Sequence, residues 1–281
     1  MRLIRMGAPG AETPGLMTAD GRILDLRRVY PEIPDIGEAF FRGGWMKNAA
    51  AVDTAAAEFQ DVRLGPPIGR PSKMICLGKN YAEHAREGGW EDLPPKPLLF
   101  CKAPSALNGP FDPVLLPRSC GQVDWEVELA VVIGREGKRI RPPEALDYIA
   151  GVTIMNDVSG REAQFSDGQW FRGKSFDTFA PLGPALVTLD EIGDLRQLTL
   201  TATVNGAVMQ TGHTADMIFD VTALLVFISE DITLLPGDII STGTPSGVGI
   251  FRNPPRLLEA GDVVECRIDP IGSLKNRVTA G

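Results

Sequence analysis

The chain is poor in the residues that most often announce a chemistry. It has two histidines, three tyrosines and four cysteines in 281 residues. Cys76, Cys101, Cys120 and Cys266 form no C-x-x-C pair and no zinc spacing, so they read as reduced thiols of a cytoplasmic protein. Each is expected to pack rather than react, because no flanking motif supports a nucleophile. Long apolar runs are also missing. The longest, residues 223–228, is too short to cross a bilayer, and the first ten residues lack the apolar core of a signal peptide. There is no basic excess: 28 Lys and Arg face 36 Asp and Glu, for a net charge of −8. That balance argues against nucleic acid as a partner, while a small anionic substrate stays open if a local metal overrides the global field. What remains is 43% hydrophobic and 23% charged, ordinary for a folded chain with one large or two unequal domains.

Residues 1–68 read as a small β-rich N-terminal domain and linker. Asp20-Gly21 is a hairpin signal, the Ala-rich stretch 48–57 is a helix or linker, and the Gly/Pro cluster 65–71 marks the boundary. From 69 to 281 the texture is short strands with frequent Gly/Pro turns. Asn205-Gly206 joins two alternating runs as a two-residue hairpin. Residues 215–230 carry Ile218, Val221, Leu225 and Ile228 at helical spacing and predict one amphipathic helix with those residues in the core. The fold class is α+β, β-dominated, without regular strand–helix alternation.

Within Val123–Ile133 the apolar residues alternate as in a strand, which puts Glu126 and Glu128 on one face. Such a pair either marks a solvated face or repels until a cation or proton sits between the carboxylates. Asp157 closes another apolar run, and three carboxylates on stiff strands suit Mg²⁺ or Mn²⁺. His84 and Glu87 share a face if their segment is helical, and a carboxylate beside an imidazole suits a general base; an incidental surface pair is the alternative. The glycines and prolines of 88–95 predict a segment that opens and closes over a site. Lys174, flanked by aromatics, is expected to be partly buried with an anionic partner. Arg161 and Gln164 follow Asp157 at helical offsets. The loop 241–249 lacks the lysine of a P-loop, but its amides and the Thr244 hydroxyl could hold a carboxylate.

Five stretches in order, 78–84, 124–129, 151–164, 173–184 and 235–249, resemble the fumarylacetoacetate hydrolase family. The subgroup is the one of 2,4-diketo-3-deoxy-sugar-acid hydrolases and 2-hydroxyhepta-2,4-diene-1,7-dioate isomerases. The resemblance implies a mixed β-roll or β-sandwich with few short helices, usually a homodimer. It implies Glu126, Glu128 and Asp157 as Mg²⁺ or Mn²⁺ ligands, and His84 and Glu87 as a water-activating dyad on a mobile lid. Lys174 would contact the enolising oxygen, and Arg161, Gln164 and Thr244 would line the pocket. Lys79 departs from the pattern by standing where an aliphatic residue is common. The expected reaction is metal-assisted hydrolysis of a C–C bond in a 2,4-diketo acid. Oxaloacetate decarboxylation and dienedioate isomerisation on the same site are alternatives, as is a non-catalytic protein that binds a small acid.

Overall fold

The computed structural model describes residues 1–90 and 92–281. Strands dominate, and the longest described helix is Val221–Asp231. An 11-stranded sheet runs Ile23–Asp25, Thr13–Met17, Arg2–Met6, Ala180–Val187, Ile149–Asn156, Val127–Ile133, Ile239–Ser241, Met74–Gly78, Leu98–Lys102 along its main path. Most neighbours are antiparallel, but Ile239–Ser241 lies parallel to Met74–Gly78, so the sheet is mixed. A five-stranded sheet built on Thr199–Val204, Val263–Ile268 and Gly272–Ala280 packs beside it.

The central Val127–Ile133 strand shows why the layers form. Val127, Leu129, Val131 and Ile133 join a core with Leu200, Val264 and Leu274 of the second sheet. Ala130 and Val132 join a different core with Phe40, Phe41 and Leu182. The alternation therefore separates two cores rather than core from solvent, and no solvated face exists here. The strand is also not continuous from Val123. Val123–Asp124 pairs with Ser159–Gly160, while Val127–Ile133 pairs with Ile149–Asn156. Between them the Asn156 side chain takes over from the backbone ladder and accepts from Glu126 N–H at 3.0 Å.

The helix expected over 215–230 begins only at Val221. Asp220 caps it by accepting from the Ala223 amide, as a helix start requires. The preceding stretch is held out of the helix by Asn80, which accepts from Ile218 N–H through its carbonyl and from Phe219 N–H through its side chain. Ile218 is accordingly only half-buried. The 48–57 stretch divides between the helix Trp45–Ala50 and a 3₁₀ turn, Thr54–Ala56. Asp20-Gly21 turns the hairpin between Thr13–Met17 and Ile23–Asp25. The N-terminal strands continue the large sheet, because Arg2–Met6 pairs with Ala180–Val187. Arg63 adds a crossing ion pair with Asp112. Three cysteines pack inside, whereas Cys101 is exposed on the outermost strand.

Candidate active site

The antiparallel register places Val127 opposite Asn156. That brings the start of one strand against the end of the other, and Asp157 N–H donates to the Glu126 carbonyl at 2.9 Å. Glu126, Glu128 and Asp157 consequently converge, each offering an oxygen within 4.8 Å of the others, and all three are buried. The expected triad is assembled by strand pairing, not by a shared solvated face.

Cations brace most of this cluster. Lys174 is buried, as expected, and donates to Glu126 at 2.5 Å and to Asp157 at 2.8 Å. Lys102 donates to the other Asp157 oxygen at 2.6 Å and to the Val158 carbonyl at 3.1 Å. Arg161 pairs with Glu126 at 2.8 Å and with Asp124 at 2.7 Å, and donates to Gln164 at 2.9 Å. Burial alone would raise the Glu126 pKa, but Lys174 and Arg161 outweigh it and hold that carboxyl far below its ordinary value. Glu128 differs. It accepts from the Ser241 hydroxyl at 2.5 Å and from Gly243 N–H at 3.0 Å, and no cation among the described residues pairs with it. Burial, reinforced by Asp157 and Glu126, pushes its pKa well above the usual carboxylate range. Four buried carboxylates, with Asp124, thus face three buried cations. An oxygen-only donor set with one uncompensated charge fits a hard divalent ion such as Mg²⁺ or Mn²⁺.

Glu87 and His84 lie one helical turn apart on Ala82–Glu87. Glu87 accepts from His84 Nδ1 at 2.8 Å, which fixes the proton on Nδ1 and leaves Nε2 as the basic nitrogen. The other Glu87 oxygen accepts from Gly247 N–H at 2.8 Å, clasping the helix to the 241–249 loop. Gly247 has φ 102°, and a Cβ there would stand 2.2 Å from the Met209 carbonyl oxygen, so only glycine permits this approach. Glu91, inside the segment expected to open and close, lies outside the described residues.

The loop amides do hold carboxylates, but the chain's own. Gly243 serves Glu128, Gly247 serves Glu87, and Gly249 and Ile250 serve Asp124. Thr244 lines the cleft, yet its hydroxyl donates to the Val127 carbonyl and accepts from Gln210, so it braces the wall. Gln164 and Arg161 line the same cleft from the helix Arg161–Ser166, which starts after Gly160 and not at Asp157. The cleft measures about 430 Å³ including its open mouth. It gathers His84, Glu126, Glu128, Arg161, Gln164, Lys174 and Thr244, and Asp157 stands behind Lys174. Two participants escaped the sequence reading. Lys102 gave one faint signal, a charge closing an otherwise apolar strand. Asp124 gave none beyond its place beside the glutamates.

Residues 73–279 match the fumarylacetoacetate (FAA) hydrolase C-terminal family. The chain belongs to the fumarylacetoacetate hydrolase family. Members of that family are hydrolases, isomerases or tautomerases, and the chain is an enzyme of this kind. Oxaloacetate tautomerase FAHD2A of Bos taurus is 42% identical over 99% of the chain and 91% of its own length. The 2,4-didehydro-3-deoxy-L-rhamnonate hydrolase of Sphingomonas sp. strain SKA58 is 43% identical over 99% and 96%. Among solved structures, maleylpyruvate hydrolase of Sphingobium sp. SYK-6, in complex with manganese(II) and pyruvate, superposes with TM-score 0.82 at 29% identity, covering both chains fully.

Proposed function

We propose that the chain is a divalent-metal-dependent hydrolase that cleaves a C–C bond in a 2,4-diketo acid, giving pyruvate and a second acid. The observation that carries this is His84, oriented by Glu87, facing the same cleft as Glu126 and Glu128 of the oxygen-only carboxylate cluster. Glu126, Glu128 and Asp157 would hold Mg²⁺ or Mn²⁺, which when bound would supply Lewis acidity toward a 2-oxo acid substrate. His84 Nε2 takes a proton from water as the water oxygen adds to the distal carbonyl carbon. Glu87 keeps the imidazole in the required tautomer and balances its charge once protonated. The C3–C4 bond to that carbon then breaks as the tetrahedral oxyanion re-forms the carbonyl of the released acid, its electron pair becomes the enolate of pyruvate, and C3 of that enolate takes the proton back from His84. Lys174 spends two of its three donors on Glu126 and Asp157. The third can meet the enolate oxygen. Gln164, held in place through its oxygen by the committed Arg161, orients the substrate from the wall with its amide donors.

A second reading, tautomerisation of oxaloacetate, is favoured by the 42% identity to an oxaloacetate tautomerase over nearly the whole chain. It uses the same enolate and asks His84 to move a carbon-bound proton instead of activating water.

The test is a panel of acylpyruvates, fumarylpyruvate, a 2,4-diketo-3-deoxy-sugar acid and oxaloacetate with Mg²⁺ or Mn²⁺, followed by product identification. Pyruvate plus an acid is expected, with His84→Ala slower by roughly 10²- to 10⁴-fold and calorimetric metal affinity retained. Cleavage by His84→Ala at the wild-type rate would refute the assigned role. Keto–enol exchange of oxaloacetate without diketo-acid cleavage would select the second reading, and CO₂ release would make the protein a decarboxylase.

A further inference from the structure

Lys79 belongs neither to the ion-pair cluster nor to the dyad, yet it lines the same cleft as Glu126 and Glu128. Its ammonium lies 3.7 Å from the centroid of the Trp90 ring. Trp90 meets Phe251 edge-on at 6.1 Å, and Phe251 lies 6.2 Å from the His84 ring. A cation on an aromatic face keeps its position without surrendering its remaining donors. The Lys79 backbone has φ 57°, a conformation that disfavours any residue with a Cβ. Such an outlier at a cleft points to a functional use of the side chain it presents.

The rest of the lining narrows that use. Arg161 and Lys174 are the other lining cations, and both are committed to buried carboxylates. Thr244 is engaged on both sides of its oxygen, and Gln164 accepts from Arg161. Phe100, Phe165, Trp170 and Phe251 supply much of the remaining wall. Among the described lining residues a polyol tail would find little beyond the Gln164 amide to bond with, whereas a carboxylate would find the Lys79 ammonium set among aromatic rings.

We propose that Lys79 is a specificity-determining residue that receives a second anionic group on the substrate. The cleft then selects 2-oxo or 2,4-dioxo acids that end in a distal carboxylate over those that end in an alkyl or polyol tail. This inference rests on the keto-acid reading above.

The test compares wild type, Lys79→Met and Lys79→Arg, all loaded with Mn²⁺. The calorimetric probes are 3,3-difluoro-oxaloacetate and 3,3-difluoro-2-oxobutyrate, which cannot enolise and differ only in a terminal carboxylate or methyl group. Turnover is followed in parallel on fumarylpyruvate and its methyl-ended analogue crotonylpyruvate. Lys79→Met is expected to lose roughly 10- to 100-fold in affinity and kcat/KM for the carboxylate-ended member of each pair, and less than about twofold for the methyl-ended member. Lys79→Arg should keep the preference. Equal losses on both members of a pair, or no loss on either, overturn the role of Lys79 and leave the keto-acid reading standing. Failure of the wild type to bind either probe overturns the keto-acid reading, and the role of Lys79 with it.

Discussion

Replacing Glu128 with Gln should stabilise the metal-free protein, the reverse of what removing a buried, hydrogen-bonded side chain usually does. Glu128 is the one carboxylate of the cluster with no cation among the described residues. Gln is nearly isosteric. Its carbonyl oxygen can accept from Ser241 and Gly243 where Glu128 Oε2 does, at 2.5 and 3.0 Å. Its amide then presents two donors toward Asp157 and Glu126, the charges that oppose ionisation of Glu128. An uncompensated buried group is replaced by a satisfied one, which should contribute about 1–3 kcal/mol. For a chain of this size that is a Tm rise of roughly 2–12 °C, at about 2–4 °C per kcal/mol. Mn²⁺ should reverse the ranking. At a thousand times Kd a ligand adds about 4.1 kcal/mol to the native state, more than the variant's advantage. Wild type should gain that increment and Glu128→Gln should gain little. The assay is calorimetric melting of chelator-stripped protein with and without Mn²⁺. A variant that melts below metal-free wild type, or that gains the same increment from Mn²⁺, would refute both the uncompensated charge and the cation it implies.

Two other perturbations probe the same electrostatics. Lys102→Met leaves Asp157 buried with Lys174 as its remaining cation, and the Lys102–Asp157 pair is fully excluded from solvent at 2.6 Å. Urea unfolding of the metal-free variant should show a loss of about 3–5 kcal/mol; a loss under about 1 kcal/mol would mean the pair behaves like an exposed one. The pH dependence follows from the raised Glu128 pKa. In the metal-free protein its stabilising contribution is fully present when it is protonated, below the ordinary 4.5, and is lost as pH rises toward the raised native value. Metal requires the ionised form, so Mn²⁺ affinity should fall as pH drops from about 8 to about 5, where protons compete for Glu128. A titration that gives one affinity across that interval would contradict the shift.

Much of the site was legible because short-range pattern carries its chemistry. Glu126 and Glu128 keep strand spacing, His84 and Glu87 keep one helical turn, and Lys174 sits among aromatics that announced burial. The helix start was misplaced because Asp220 capping and the Asn80 contacts override apolar periodicity. Asn80 stands in a different segment and cannot be read from residues 215–230 alone. The strand break at Trp125–Glu126 has a similar origin, since the competing hydrogen bond comes from Asn156.

By itself, then, the sequence determined the family, the β-rich class, the donor atoms of the carboxylate cluster and the carboxylate partner of His84. The Glu126–Glu128 and His84–Glu87 pairs follow from residue identity at fixed local spacing, which the backbone period converts into neighbours, whereas Asp157 joins the glutamates only through strand pairing. Only the tertiary structure decided which charges meet. Lys102 reaches Asp157 across 55 residues, Ser241 reaches Glu128 across 113, and Gly249 reaches Asp124 across 125. The balance of buried charge is a sum over such long-range pairs in a medium that screens them poorly. For that reason the uncompensated charge on Glu128 and the committed state of Arg161 and Lys174 emerge only when the strands have taken their register.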